Sequence, residues 1–198
     1  MGLAGVLLGL LGGWIIGTQQ GISQPAVPAA QQAAAPSGQQ RQAPALDENR
    51  VAQLKADAAR EPRNAAPRVQ LGNLYFDSER YDDAARWYTA ALEIDPNQVD
   101  VSTDLGIAYY YTNQPDRALE QFDRSLQIDP KHSKTLLNIG VVRAFGKQDL
   151  EGAAKAWERV LEVAPNSEEA VRAKQGLDGI RSAHPEAGSG RGSGRGAS

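Results

Sequence analysis

The chain returns to itself every 34 residues. AAPRVQLGNLYFDSERYDDAARWYTAALEIDPNQ occupies residues 65–98, VDVSTDLGIAYYYTNQPDRALEQFDRSLQIDPKH follows over 99–132 with no change of length, and a third copy, one residue longer, runs over 133–167. The prolines that close successive units, Pro62, Pro96, Pro130 and Pro165, lie 34, 34 and 35 residues apart. A period of this size restricts the fold to a stack of like units, because one unit cannot bury its apolar face alone and must pack on the next.

Each unit reads as two helices. In the first, Val69, Leu71, Leu74, Tyr75 and Phe76 recur at helical spacing, and a second set follows at Tyr81, Ala84, Ala85, Tyr88, Ala91 and Leu92. The polar turn Asp77 to Arg80 separates them. Asp95-Pro96-Asn97 ends the unit, with proline blocking continuation and Asn97 suited to cap the next helix. Gly72 lowers helix propensity by about 1 kcal/mol. Its return as Gly106 and Gly140 points to close helix packing beside the large rings.

In these residues the chain resembles the tetratricopeptide repeat (TPR) family, whose pattern pairs Leu-Gly and Tyr on one helix with Ala, an aromatic ring and a closing Pro on the next. Unit one supplies Leu71, Gly72, Tyr75, Ala84, Tyr88, Ala91 and Pro96; unit two Leu105, Gly106, Tyr109, Ala118, Phe122 and Pro130; unit three Ile139, Gly140, Ala153, Trp157 and Pro165. Four positions depart from the pattern. Arg68 and Ser102 stand where a Trp or large apolar residue is usual, Ser125 replaces a small apolar residue, and Arg143 stands where Tyr75 and Tyr109 stand. Unit three carries its extra residue near Gly146-Lys147-Gln148, which leaves the pairing of its two helices open. The resemblance implies an all-α TPR solenoid of three full repeats over 65–98, 99–132 and 133–167, within a folded domain of residues 46–183. Leu46 to Glu61 is expected as a leading cap, and a helix over 167–181, opened by Asn166-Ser167-Glu168-Glu169, as a closing one.

The ends differ in composition. Gly2 to Gly17, GLAGVLLGLLGGWIIG, is uncharged, and as a helix would span about 24 Å against a hydrocarbon core of about 30 Å. A secretory signal peptide is the alternative, but no basic residue precedes the run and no small-residue cleavage site follows it closely. The expectation is a transmembrane anchor over residues 1–18. Gly5, Gly9, Gly13 and Gly17 fall four apart, on one helix face where another membrane helix or a second copy would approach closely; a glycine-rich anchor produces the same spacing without meaning. Residues 19–45 form a Gln/Pro/Ala-rich linker with Arg41 as its only charge, too poor in apolar residues to fold. Residues 184–198 read as a flexible Gly/Ser-rich tail. The composition and single anchor look like bacterial envelope proteins. The expected place is the bacterial inner membrane with a periplasmic repeat domain, although neither flank carries the Lys/Arg bias that would set orientation.

In TPR proteins the first helices line the concave face. The resemblance therefore places Val69, Asn73, Phe76 and Asp77, then Thr103, Ile107, Tyr110 and Tyr111, then Leu137, Val141, Ala144 and Phe145 along a shallow groove for a protein partner. The stripe is apolar and aromatic, suited to an amphipathic helix or an extended apolar segment. The alternative is that the closing helix covers much of it or that it is ordinary core. The family's groove for a terminal carboxylate is not reproduced: only Asn73 fits, and Val69 stands where a Lys is wanted.

Other chemistry is missing from the sequence. A net charge of −3 with no Lys/Arg stripe along a helix argues against nucleic-acid binding. The chain has no cysteine, so disulfides and thiolate metal sites are excluded. His132 and His184 lack ligand spacing and read as solvated turn residues. Carboxylates such as Asp82, Asp83, Asp95 and Asp129 fall in turns or at helix starts, where capping accounts for them. No phosphate loop or nucleophile elbow is present. No catalytic residue, metal or cofactor is expected. The expected role is a membrane-tethered scaffold or adaptor. Two rivals are a chaperone-like client binder, similar to the TPR subunits of cytochrome c maturation, and a permanent accessory subunit of a membrane complex.

Overall fold

A computed structural model describes residues 45–183. The anchor of residues 1–18 with Gly5, Gly9, Gly13 and Gly17, the linker up to residue 44 and the tail of residues 184–198 lie outside the described residues. Among the described residues there are eight α-helices and no strand: α1 Glu48–Arg60, α2 Ala66–Asp77, α3 Tyr81–Leu92, α4 Val99–Tyr111, α5 Pro115–Ile128, α6 Ser133–Val141, α7 Leu150–Val163 and α8 Glu168–Ala183. A π turn, Val142–Gly146, continues α6. None of these helices is long and apolar enough to cross a membrane.

The pairs α2/α3, α4/α5 and α6/α7 stack in chain order, with α1 packed on α2 and α8 on both α6 and α7. The repeated glycine sets the distance within each pair. A methyl group added at Gly72 would lie 2.4 Å from the Tyr88 ring, at Gly106 2.4 Å from Phe122, and at Gly140 2.1 Å from Trp157. No side chain fits there, so glycine lets each ring lie flat on the neighbouring helix backbone. Trp157 is also held from the other side by Gly176 of α8, and its indole N–H donates to the Leu137 carbonyl at 3.1 Å.

The extra residue of unit three leaves helix pairing intact. In the first two units the turn after the first helix passes through a left-handed residue, Glu79 or Asn113, and closes with Arg80 N–H on the Tyr75 carbonyl at 2.8 Å or Gln114 N–H on Tyr109 at 2.9 Å. In unit three the left-handed residue is Gln148, and Asp149 N–H reaches back one residue further, to Arg143 at 2.8 Å. The insertion is taken up inside the helix as the π turn, where Lys147 N–H donates to Val142 at 3.0 Å. It therefore lies within Val142–Gly146 rather than in the turn beyond.

Two departures from the repeat pattern answer each other. Ser102 and Ser125 are both buried, and the Ser102 hydroxyl accepts from Ser125 at 2.8 Å and from the Gln121 amide at 2.7 Å. A polar knot thus joins α4 and α5 alongside the packing of Phe122 on Gly106. The helix starts differ from the expected caps. Asn97 does not cap α4; its own N–H donates to Asp95 at 3.3 Å, and Gln98 holds the cap position. At α8 the capping side chain is Ser167, which accepts from Ala170 N–H at 3.1 Å, rather than Asn166. His132 is not a solvated turn residue. It is half-buried, with Nδ1 2.7 Å from Thr135 Oγ1 and Nε2 3.2 Å from Asp100 Oδ1.

Candidate functional site: a groove on the first helices

The first helices of the units share one orientation, so residues a turn apart on α4 and α6 line up across the stack. Ile107 and Tyr111 of α4 face Leu137 and Val141 of α6, and with Phe76 and Phe145 they line a groove of about 740 Å³. Glu169, Arg172, Gln175 and Gly176 of α8 form a further wall, and Trp157 also lines it. The closing helix therefore borders the groove and does not fill it. The sequence offered this helix as a cover over the stripe; in the structure it is a wall, and Gly176, the one glycine of that helix facing the packed side, marks the approach to Trp157.

Six of the eleven partner-binding residues expected from sequence meet in this groove: Phe76, Ile107, Tyr111, Leu137, Val141 and Phe145. The others lie elsewhere. Thr103 is fully buried, bonded through Oγ1 to the Val99 carbonyl at 2.8 Å and to Thr135 at 2.7 Å, because the hydroxyl pair takes it into the α4–α6 contact. Val69 is half-buried against the core of α1 to α4. Asn73 accepts the Tyr88 hydroxyl at 2.8 Å. Tyr110 is half-buried and packs toward Gly146 of the π turn. Asp77 is exposed at the last residue of α2. Ala144, on the same stripe, is buried.

The groove grades from charged to aromatic along the helices. Near the starts of α6 and α8, Lys134 Nζ lies 2.6 Å from Asp104 Oδ1. Burial raises the Asp104 carboxyl above its ordinary range, and Lys134 opposes that shift. Glu169 is held below the ordinary glutamate range by a backbone N–H at the start of α8, with the Ser167 and Ser133 hydroxyls and Arg172 adding to the effect against some desolvation. At the opposite end four rings meet. Tyr81 stacks on Tyr111 with centroids 4.5 Å apart, Phe76 stands edge-on to both at 5.2 and 6.0 Å, and Tyr110 tilts against Tyr111 at 5.9 Å. Such contacts fix ring positions. Tyr111 nonetheless stays 56% exposed and Phe145 72%.

A second cleft of about 520 Å³ opens on the side of the second helices, between α3 and α5, with Ser102, Leu105, Tyr109 and Gln121 among its lining residues. Ser102 leaves this space because it is small where the repeat pattern has a large residue.

Comparison with known proteins bears on the repeats. A family profile described as "TPR repeat" matches residues 72–113, and one described as "Tetratricopeptide repeat" matches 100–132. No curated protein sequence matches the chain. Among solved structures, the Sgt2 TPR domain from Aspergillus fumigatus is 29% identical, covers 68% of this chain and 86% of its own, and superposes with a TM-score of 0.56. The first TPR of Spaghetti (RPAP3), bound to the HSP90 peptide SRMEEVD, is 29% identical over 59% of this chain and 92% of its own, with a TM-score of 0.52. The Yersinia enterocolitica type III secretion chaperone SycD, in complex with a peptide of the translocator YopD, is similar in fold at 19% identity, covering 59% of this chain and 91% of its own with a TM-score of 0.55. Glycine-on-ring contacts recurring with the period, matching profiles and this likeness of fold converge on one reading: residues 72–132 carry tetratricopeptide repeats, and the described residues fold as an all-helical solenoid.

Proposed function

We propose that the chain is an adaptor that captures a helical or extended apolar segment of a partner protein in the groove of α4, α6 and α8, and that residues 1–18 tether it to a membrane. The observation that carries the reading is the exposure of Tyr111 and Phe145 at the mouth of a groove floored by Ile107, Leu137 and Val141. Rings open to water beside an apolar trough are a contact surface without a contact, and their burial would supply about 25 cal/mol for each Å² covered. Two similar solved TPR structures hold peptides, which supports a peptide-sized occupant. The chemistry of the occupant differs from that of an acidic peptide such as SRMEEVD, because the two basic side chains lining the groove, Lys134 and Arg172, already face Asp104 and Glu168.

The test is site-specific photocrosslinking of the full chain in intact bacterial membranes, with a photoreactive residue at Phe145 or, as control, at the exposed Lys155 of α7. The expected outcome is a discrete adduct at Phe145 that Val141→Asp abolishes. Equal, diffuse labelling from both positions would remove the groove as the binding site, and labelling at Phe145 only after the membranes are dissolved would remove the tether.

A further inference from the structure

The groove does not end at Tyr111. The same ring lines an adjoining notch of about 350 Å³ made by Glu79, Arg80, Tyr81, Asp82, Asp83 and Thr112. The charge of that notch is lopsided. Arg80 and Arg86 are both committed to Asp83, at 2.6 and 3.2 Å. Among the described residues no basic side chain pairs with Glu79 or Asp82, the other two carboxylates that line it. Asp82 lies in the first turn of α3, where the helix dipole favours a carboxylate. Glu79 lies in the turn between α2 and α3, one residue before the Arg80 that caps α3, and shares the notch with the Tyr111 ring. The first helix α4 also ends here, at Tyr111, and brings its own negative end to the same place.

The rings add to this. Tyr75, one residue before Phe76, and its repeat equivalent Tyr109 are each covered by a cation of the chain itself, Arg80 at 4.9 Å and Arg117 at 4.0 Å from the ring centroid. Among the described residues none lies over Phe76, Tyr111 or Phe145. Aromatic faces beside unpaired carboxylates attract a cation through the ring quadrupole and through Coulomb's law together.

Resting on the groove reading above, we infer that the occupant is a basic amphipathic helix: apolar residues on Ile107, Leu137 and Val141, and a lysine or arginine at one end, seated against Tyr111 and facing Glu79 and Asp82 of the notch. Attraction between the acidic rim and a basic segment speeds encounter and weakens with salt, whereas the apolar contact does not.

The test is fluorescence anisotropy on the full chain with two labelled peptides of the same apolar stripe, LKKLLKL written twice and LEELLEL written twice. At low salt the lysine peptide is expected to bind at least about tenfold more tightly, a gap that closes as salt rises toward about 0.5 M. Neutralising the rim with Glu79→Gln and Asp82→Asn should shrink the preference severalfold. Neutralising Glu120 and Glu158, exposed residues outside both clefts, should leave it in place. Equal affinity for the two peptides, or an unchanged preference after rim neutralisation, would overturn the basic occupant while leaving the groove standing. Failure of both peptides to bind, or binding indifferent to Phe145→Ala, would instead overturn the groove itself and this inference with it.

Discussion

At the scale of single residues, the fold turns on glycines that have a ring where a side chain would go. Ordinarily glycine inside a helix is a defect, and alanine in its place gains about 0.5–1 kcal/mol. Gly179 of α8 follows that rule, since a methyl group there would meet nothing within 4 Å. Gly106 inverts it. Its added carbon would press to 2.4 Å from the Phe122 ring, which is itself fully buried and has nowhere to move. Gly179→Ala is therefore expected to raise stability by about 0.5–1 kcal/mol, and Gly106→Ala to lower it by about 1–3 kcal/mol, both read as midpoints of urea unfolding. A gain at both positions would mean that the ring contact does not set helix spacing. The serines at 102 and 125 make a similar point about reading residues one at a time. Each alone looks like a flaw in the repeat, and only the fold shows that they donate and accept across the same helix contact.

At the scale of elements, the helices were legible in the sequence because a 34-residue period with proline stops leaves few ways to divide the chain. The caps and the π turn were not. Asn97 has the right chemistry for a cap, but α4 starts at Val99, which puts Gln98 at the cap position and leaves Asn97 one residue outside it, and a sequence pattern does not fix a helix start to one residue. An inserted residue was visible as a count of 35, but whether it lengthens a turn or swells a helix depends on the packing of Gly140 on Trp157 downstream. The site was legible in its apolar half, where spacing along α4 and α6 is enough. Thr103 was misplaced because its fate depends on Thr135, a full period away. The start of α8 carries a pH dependence that sequence does not show. The folded state holds Glu169 below the usual glutamate value, so its contribution to stability is present above that value and is lost as pH falls through the lower folded one. Asp104 works in the opposite sense. Burial raises its carboxyl, so protonation relieves a cost as pH falls. Between pH of about 6 and 3, Glu169→Gln should flatten the fall of the melting temperature, and Asp104→Asn should steepen it. The same slope in both variants and the parent would show that neither carboxylate is coupled to folding.

At the scale of the whole described region, the solenoid is a row of neighbours, and its stability is shared unequally along the row. One continuous apolar cluster joins α1 to α4, from Val51 and Leu54 through Leu71 and Tyr88 to Leu105 and Ala108. A second joins α6 to α8 around Leu136, Trp157 and Leu177. Between them lies a smaller apolar cluster, Phe122 and Ala118 of α5 against Ile139 and Val142, with Ile107, Tyr110 and Leu126 partly buried around it. The junction also carries polar ties: Thr103 to Thr135 at 2.7 Å, Lys134 to Asp104 at 2.6 Å, Lys147 to Asp116 at 2.6 Å and His132 to Asp100 at 3.2 Å. Partly exposed ion pairs contribute about 0–1 kcal/mol each, far less than a shared hydrophobic core, so the two clusters are expected to open separately. Native-state hydrogen exchange should show α6 to α8 becoming exposed as a block at lower free energy than α1 to α4. Lys134→Met, which removes one tie across the junction, should speed exchange in that block and leave protection of α2 and α3 unchanged. Because the groove is built from α4 on one side of the junction and from α6 and α8 on the other, an occupant must bridge the two blocks. Binding should then slow exchange of α6 to α8 most of all, by the factor that mass action sets from its affinity. Protection rising evenly over all eight helices, or one opening event for the whole domain, would show that the junction couples the blocks as tightly as a core does.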